Sequence, residues 1–286
     1  MTPEAPKLLI FAGPNGSGKS TITRTFQQLP DFPERYINPD AITQQIPGDA
    51  STYLERSRQA QQIAERQRQD FISERTSFAF ETVMSHPSKV ALMHQAKRAG
   101  FEVTLIFVST NNPQINVNRV ALRVQAGGHD VPSNKIVARY RRTLNLLPSA
   151  IDVCDRAVVF DNTENYSQGA VFENGQLTER DDDLLPWINQ TIEQVTERQQ
   201  ERQSFTDIAQ QRRLVLQSAD ILSRTYDGPI TIATDHYAVQ RLADDRRILH
   251  DRRLVAIEPD RTLRVTYSQG VSHTQQRQQN QRDFER

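Results

Sequence analysis

Residues 11–21, FAGPNGSGKST, carry side chains whose spacing suits the binding of a phosphate chain. A glycine, four residues and then Gly-Lys-Ser is the phosphate-loop pattern. Small residues let backbone N–H groups turn inward around a phosphate, and the following helix adds the positive end of its dipole. We therefore predict that ATP or another nucleoside triphosphate binds to a loop of nine residues: Gly13, Pro14, Asn15, Gly16, Ser17, Gly18, Lys19, Ser20 and Thr21.

Two side chains of this loop have expected chemical tasks. Lys19 would neutralise the outer phosphate oxygens, and the Ser20 hydroxyl would be a ligand for Mg²⁺. The pattern establishes nucleotide binding but leaves open whether the γ-phosphate is transferred to another molecule or its energy drives motion. The strongest strand-like segment ends in Ser109 and Thr110, where a motor ATPase usually has acidic residues, and this favours transfer.

Acidic residues follow two other short strand-like segments. Asp40 comes just after YIN. Glu81 comes directly after FAF and is followed by Thr82. Ligands of a parallel sheet lie at the carboxyl ends of its strands, so both acids would face the phosphate loop. The residues alone also allow Asp40 to be the N-cap of the helix that begins at AITQQI, and Glu81 to be a surface acid.

Arginines are concentrated between residues 119 and 142. Arg119 and Arg123 are four residues apart and share a helical face. The segment AGGHDVP follows, and then Arg139, Arg141 and Arg142. Two arginine-bearing helices joined by a hinged loop suit a closing lid, because the planar guanidinium holds phosphate oxygens in pairs. A solvated basic face is the alternative.

The elements that must position these residues alternate between strands and helices. Strands are predicted at LLIFA, SFAFETV, FEVTLIFVS and AVVFDN, and RYINPD is a further short strand or the exit from one. Helices are predicted from Lys19 and over residues 52–74, 86–100, 116–126 and 134–147. Alternation of this kind favours a mainly parallel sheet with helices on both faces. The predicted fold class is α/β, a three-layer phosphate-loop fold followed by a long helix and a small β-rich module. The P-loop kinase form of this fold is what the family resemblance described below implies.

The composition changes after Trp187. We predict a kinase domain over residues 1–190, a polar helical linker over 191–225, a β-rich module over 226–270 and a disordered tail over 271–286. The linker has a thin apolar stripe, a candidate docking surface formed by Phe205, Ile208, Leu214 and Leu216. A solvated helix, or a helix that packs back onto the kinase domain, is the alternative.

Composition limits the partners and the location. The 35 basic and 35 acidic residues give a formal net charge of +0, which disfavours a dedicated nucleic-acid binder. The single cysteine, Cys154, excludes an intramolecular disulfide and fits a reducing cytoplasm. No apolar stretch is long enough to span a membrane, so we expect a cytoplasmic protein without a membrane partner.

The motifs GPNGSGKST, INPD, FAFET, NRVALRVQAGGHDVP and FDN, in this order over residues 7–187, resemble the zeta-toxin kinase family. The resemblance implies a kinase with ATP and Mg²⁺ that phosphorylates a sugar hydroxyl of UDP-N-acetylglucosamine, acts as the toxin of a toxin–antitoxin system and is blocked by a small antitoxin. A kinase of nucleosides or of RNA or DNA ends, and a nucleotide-gated interaction protein, are the alternative functions. Residues 226–270 resemble KfrB-type plasmid modules.

The resemblance also implies roles for individual residues. Lys19 matches the phosphate-loop lysine, Asp40 the proposed base for the acceptor hydroxyl, and Glu81, with Thr82 beside it, the acceptor-binding glutamate. Arg119 matches the first lid arginine. The second lid arginine has no counterpart, because His129 stands at its position; His129 is then a candidate substrate contact, and Arg123 a candidate for the missing catalytic role.

Overall fold

The computed structural model describes residues 4–49, 51–128 and 130–276 of the chain. They divide into two compact units. The first lies within residues 1–85 and 93–192, and the second within residues 86–92 and 193–286.

The elements of the first unit follow the predicted alternation closely. In chain order they are β1 (Lys7–Ala12), α1 (Lys19–Phe26), β2 (Arg35–Ile37), α2 (Pro39–Gln45), α3 (Tyr53–Ser73), β3 (Phe78–Thr82), α4 (Ser88–Arg98), β4 (Glu102–Ser109), α5 (Pro113–Gln125), α6 (Ser133–Ile151), β5 (Arg156–Asp161), β6 (Ser167–Glu173) and β7 (Gln176–Arg180). The helix α7 (Pro186–Gln211) follows, and both α4 and α7 contain residues of the two units.

The seven strands form one sheet in the order β2-β3-β1-β4-β5-β6-β7. The first five are mutually parallel, and β6 and β7 continue the sheet in antiparallel pairing. The mainly parallel sheet of the predicted three-layer P-loop kinase fold is therefore confirmed. The antiparallel pair β6 and β7 was not predicted; its strands lie at the edge of the sheet, where β7 is exposed along its whole length and carries no apolar run.

Side chains of both sheet faces are buried, as a sheet covered by helices on both sides requires. On one face Phe11, Ala79, Ile106 and Val158 pack with Ile22 of α1. On the other face the alternate residues of the same strands, Leu8, Ile10, Phe80 and Phe107 among them, have no exposed surface. Because the central strands are packed on both faces, the loops that follow their carboxyl ends start from fixed positions.

The second unit is built on a six-stranded sheet. Its strands are β8 (Leu216–Ser218), β9 (Thr225–Ala233), β10 (Tyr237–Arg241), β11 (Arg247–Asp251), β12 (Thr262–Ser268) and β13 (Val271–Gln276), in the order β13-β12-β9-β10-β11-β8. All neighbours are antiparallel except β8 and β11. The β-rich module is therefore present and extends beyond its predicted limits at both ends.

The second half of α7 is not a solvated linker. Arg198, whose side chain is 2% exposed, pairs with both carboxylate oxygens of Asp251 at 3.1 and 2.9 Å and lies over the ring of Tyr237. The buried contact of this helix is made by a charged residue, Arg198. The polar composition of the helix therefore gave no sign that it packs against the second unit's sheet. The prediction of a polar linker over residues 191–225 is wrong here.

The predicted docking stripe is also wrong for two of its members. Phe205 and Leu216 pack against a cluster of Tyr237, Val239 and Leu249 within the second unit. Ile208 remains 44% exposed. The stripe therefore mainly packs against the β-sheet of the second unit.

The predicted tail begins too early. Residues 271–276 form β13 and pair with β12 from Leu263 to Ser268, because the turn at Gln269 and Gly270, both with positive φ, reverses the chain into a hairpin. Residues 277–286 lie outside the described residues. The predicted limits of the kinase domain, residues 1–190, stay a prediction. Among the described residues, no helix combines the length and the apolar composition needed to cross a bilayer.

Candidate nucleotide-binding site

The phosphate loop joins β1 to α1 and requires glycine at two positions. Gly13 has φ 150° and Gly18 has φ 99°. A Cβ atom on Gly13 would lie 1.9 Å from the carbonyl oxygen of Val108, and one on Gly18 would lie 2.3 Å from Asn162 Nδ2 and from the hydroxyl of Tyr166. The loop is thus packed against β4 and against the segment after β5, with no space for side chains.

Side-chain donors fix the carbonyl oxygens of the loop. Asn162 Nδ2 donates to the Ser17 carbonyl at 2.8 Å, and the Tyr166 hydroxyl donates to the Gly18 carbonyl at 2.6 Å. On the other side, Asn116 Nδ2 donates to the Asn15 carbonyl at 2.7 Å. The loop is therefore shaped by the protein itself before a nucleotide binds, as a preorganised anion site requires.

The segment after β5 is held in turn by Asp161, which is 4% exposed. Its carboxylate accepts hydrogen bonds from the Thr163 backbone N–H at 2.6 Å and hydroxyl at 3.0 Å, and from Trp187 Nε1 at 2.8 Å. The sequence motif FDN includes Asp161. Nothing in that motif showed that Asp161 fixes the segment whose residue Asn162 binds the phosphate loop.

The Lys19 ammonium donates to the Pro14 carbonyl at 2.8 Å. Burial lowers the pKa of Lys19 to about 8; the negative charges of Glu81 and Asp40 act in the opposite direction, and the positive charge of Arg123 lowers it further. Glu81, Asp40 and Arg123 therefore each lie within electrostatic reach of Lys19. The sequence drew these three residues from separate segments, and their roles in the site stay predictions.

Glu81 is 9% exposed and accepts hydrogen bonds from two hydroxyl groups. Ser20 Oγ donates to Glu81 Oε2 at 2.8 Å, and Tyr36 donates from its hydroxyl to Glu81 Oε1 at 2.6 Å. Burial, and then the neighbouring Glu81 charge, raise the pKa of the Tyr36 hydroxyl. The surface-acid alternative for Glu81 is therefore wrong. Sequence reasoning missed Tyr36; its place at the end of β2, the strand next to β3, was the available signal.

Asp40 lies at the second position of α2, and its side chain is exposed. The N-cap of this helix is Asn38, whose Oδ1 accepts hydrogen bonds from the backbone N–H groups of Asp40 and Ala41 at 2.9 and 3.4 Å. The alternative in which Asp40 is the cap is therefore wrong. The hydroxyl of Thr82 accepts a hydrogen bond from the Met84 backbone N–H at 3.1 Å, which ties it to the turn after β3.

The two arginines of α5 differ in their surroundings. Arg119 donates from Nη1 to the Asn162 carbonyl at 2.7 Å and from Nη2 to the Thr163 carbonyl at 3.0 Å. Arg123 is exposed, and its charge reaches Lys19 and Tyr53. Arg119 thus holds the segment after β5, while the charge of Arg123 acts on Lys19 of the phosphate loop. His129 lies outside the described residues.

The oxygen atoms near Ser20 suit Mg²⁺. This ion keeps several waters and usually takes one or two protein oxygens together with phosphate oxygens, so it does not need a cluster of protein ligands. Within the described residues there is no group of three or more His, Cys, Asp or Glu side chains placed to hold a metal. The Ser20 hydroxyl, with the Glu81 carboxylate 2.8 Å away, fits a nucleotide-bound Mg²⁺.

The fold and the loop define a protein of the P-loop kinase class. A family model described as zeta toxin matches residues 1–172, so the chain belongs to the zeta-toxin family. A second family model, described as the KfrB domain, matches residues 225–276. Both resemblances seen in the sequence are confirmed.

Individual relatives are similar over parts of the chain. An uncharacterized protein of Haemophilus influenzae (strain Rd) is 33% identical over 136 residues, which are 47% of this chain and 92% of that protein. A crystal structure of the AvrRxo1-ORF1:-ORF2 complex matches with a TM-score of 0.51 and 14% identity, over 67% of this chain and 63% of that chain. A structure from the PezAT chromosomal toxin–antitoxin system of Streptococcus pneumoniae matches with a TM-score of 0.46 and 16% identity, over 70% of this chain and 88% of that chain.

At these identities the solved structures are similar in fold alone. The chain spans 60% of the length of the first solved chains that it matches.

Proposed function

We propose that the chain is an ATP-dependent phosphotransferase that moves the γ-phosphate to a hydroxyl group of a small molecule. The observation that carries this proposal is a phosphate loop whose carbonyls are held by side chains, with Glu81 bonded to Ser20 at 2.8 Å and with Asp40 and Arg123 within electrostatic reach of Lys19. Phosphoryl transfer depends almost entirely on positioning and on charge stabilisation, and these residues supply both.

Each residue has a task in this scheme. The loop and Lys19 bind the β- and γ-phosphates, and Lys19 exchanges the Pro14 carbonyl for phosphate oxygens. Ser20 would hold Mg²⁺, which when bound neutralises charge on the phosphate oxygens. Asp40, an exposed carboxylate close enough to Lys19 to affect its pKa, takes the proton of the acceptor hydroxyl as general base.

Arg123 supplies positive charge to the transferring phosphoryl group, and Arg119 holds the segment that supports the loop. The helices α5 and α6, with the glycine-containing segment 126–132 between them, form the lid that excludes water. In this scheme His129 and Thr82 are further candidates for contact with the acceptor.

Membership of the zeta-toxin family supports a nucleotide sugar of the UDP-N-acetylglucosamine type as the acceptor, and the role of a toxin. It also supports a small antitoxin protein as the partner. The cytoplasm is the proposed place of action, since the chain's one cysteine, Cys154, is buried and free.

An acceptor panel tests this proposal. The full chain is incubated with ATP labelled on the γ-phosphate, Mg²⁺ and separate pools of nucleotide sugars, nucleosides and RNA ends. Labelled nucleotide sugar, absent with Lys19→Ala, is the expected result. Label in RNA ends or nucleosides would assign the other class of kinase, and ATP binding with no label in any pool would favour a nucleotide-gated interaction protein.

A further inference from the structure

Arg56, the fourth residue of α3, donates to backbone carbonyls at the end of α2 and in the loop that follows it. Its Nη1 atom donates to the carbonyls of Thr43 and Ile46 at 3.3 and 3.2 Å, and its Nη2 atom donates to the Asp49 carbonyl at 2.7 Å. One guanidinium group thus holds three carbonyls of the segment that begins with the helix of Asp40.

Helix α2 is short, and the burial of its side chains anchors it weakly. Of its seven residues, all of which the structure describes, Thr43 alone is buried. An isolated helix of this length is unstable in water. The last carbonyls of a helix have no partner within it, and a cation beside them also interacts favourably with the helix dipole. Arg56 therefore supplies the attachment that this end of α2 needs.

The other end of α2 carries Asp40 and is held by Asn38. Asn38 Oδ1 accepts hydrogen bonds from the backbone N–H groups of Asp40 and Ala41, and Asn38 Nδ2 donates to the hydroxyl of Tyr36 at 3.3 Å. Tyr36 belongs to β2, so this end of the helix is attached to the sheet. The position of Asp40 therefore depends on two attachments, to β2 at the start of α2 and to α3 at its end.

The loop between α2 and α3 is packed closely around the side chain of Arg56. Gly48 has φ 146°, and a Cβ atom on it would lie 2.9 Å from Arg56 Cδ and 2.5 Å from Thr52 Oγ1. The Thr52 hydroxyl in turn donates to the Asp49 carbonyl and accepts from the Asp49 backbone N–H, both at 3.1 Å. The path of this loop, and with it the end of α2, is thus fitted to the guanidinium group.

Tyr53, the first residue of α3, places this arrangement near the proposed base. The guanidinium group of Arg56 lies over the Tyr53 ring, 5.8 Å from its centroid. Burial raises the pKa of Tyr53, and the negative charge of Asp40 raises it further, while the positive charges of Arg123 and Arg56 lower it. The start of α3, where Arg56 lies, is therefore within electrostatic reach of Asp40 and Arg123.

We propose that Arg56 is the positioning residue of Asp40, which it serves by fixing α2 through the three carbonyls. This inference rests on the proposed function, in which Asp40 takes the proton of the acceptor hydroxyl. Arg56 touches neither reactant in this scheme, so its effect on transfer passes through Asp40. A displacement of about 1 Å at a reacting group, caused by a remote mutation, is enough to lower a rate by about 10²-fold.

A double-mutant cycle tests whether Arg56 acts through Asp40. Transfer from ATP labelled on the γ-phosphate to UDP-N-acetylglucosamine is measured for the wild type, Arg56→Ala, Asp40→Asn and the double variant. Arg56→Ala should lower kcat by about 10- to 100-fold and leave the dissociation constant for ATP unchanged. In the Asp40→Asn background the same change should alter the remaining rate by less than about twofold, because residues that act as a unit are not additive.

Two further variants are the matched controls. Arg56→Lys keeps the positive charge but loses the planar fork that reaches three carbonyls, so most of the loss in kcat should remain. Arg75, just after α3, also donates to a backbone carbonyl, that of Ala99 between α4 and β4. Arg75→Ala should therefore leave kcat unchanged. Full activity of Arg56→Lys would show that charge alone matters at this position, and would overturn the inference.

Hydrogen exchange followed by mass spectrometry tests the positioning without turnover, and circular dichroism checks that each variant is folded. Arg56→Ala should speed the exchange of amides in residues 39–49 and leave the exchange of residues 13–21, the phosphate loop, unchanged. Unchanged exchange in residues 39–49, or an equal fall in rate in both backgrounds of the cycle, would overturn the inference while the proposed function stands. Absence of labelled product with the wild type would overturn both.

Discussion

Trp187 donates its indole N–H to Asp161 across 2.8 Å, and this bond ties the start of α7 to the segment that grips the phosphate loop. Trp187 lies beyond residue 172, where the match to the zeta-toxin family model ends. The nucleotide site of this chain therefore depends on residues outside the part that the family model covers.

Trp187→Phe should lower the free energy of unfolding by about 1–3 kcal/mol, because it leaves the buried Asp161 carboxylate one donor short. Urea denaturation followed by circular dichroism measures this loss. Nucleotide binding should weaken as well, since Asn162 follows Asp161 directly and donates to the Ser17 carbonyl. An unchanged denaturation midpoint would mean that water replaces the indole donor at no cost.

Arg119 and Arg123 should give different kinetic signatures. Arg123→Ala should lower kcat more than it raises KM for ATP, because its charge acts on the phosphate side of the site. Arg119→Ala should raise KM for ATP and lower thermal stability, because its guanidinium holds the carbonyls of Asn162 and Thr163. Steady-state kinetics of both variants decide this. Identical profiles would contradict the separation of roles.

Gly18→Ala should abolish nucleotide binding and leave the sheet folded. The new Cβ would meet Asn162 Nδ2 and the Tyr166 hydroxyl at 2.3 Å, and the φ of 99° is unfavourable for alanine. Calorimetric titration with ATP and far-ultraviolet circular dichroism measure the two effects. Gly100→Ala, between α4 and β4, is the control, since its φ of 79° is also positive and its Cβ would meet only the guanidinium of Arg75, at 3.1 Å. Equal loss of binding in both variants would show that backbone strain, and not the collision at the loop, is responsible.

Acid should destabilise the second unit through His250, which is fully buried between Tyr267 and Gln240. The Gln240 amide nitrogen donates to the carbonyls of Gly228 and Leu263, so Gln240 Oε1 faces His250 and the Nε2 atom of the neutral ring carries the proton. Burial lowers the pKa of His250 to about 3, while an unfolded histidine titrates near 6.5. Between these values the unfolded chain binds a proton that the folded chain does not.

The contribution of a neutral His250 is therefore complete above about pH 6.5 and is lost as the pH falls toward 3, at up to about 1.4 kcal/mol per pH unit. Thermal unfolding of the wild type and of His250→Gln, at pH 7 and at pH about 5, measures this. The stability difference between the two proteins should shrink at the lower pH. A difference that stays constant would show that His250 does not titrate between the folded and unfolded states.

Sequence reasoning located the elements of the first unit because local signals define them. The glycine spacing identified the loop, and the positions of Asp40, shortly after β2, and of Glu81, near the end of β3, followed from the alternation of strands and helices. Tyr36 could not be assigned, because its contact with Glu81 depends on the pairing of β2 with β3. The second half of α7 was misread for a similar reason: the partner of Arg198 lies 53 residues further along the chain.

The most direct test of the account separates binding from transfer at Asp40. Asp40→Asn keeps the shape of the side chain and removes the proton acceptor, and Asn38 continues to cap α2. With ATP labelled on the γ-phosphate and the acceptor found in the panel, the account predicts an unchanged dissociation constant for ATP and transfer reduced by about 10²- to 10⁴-fold. A fall in transfer of less than about tenfold, with ATP binding intact, would show that Asp40 is not the base and would contradict the proposed mechanism.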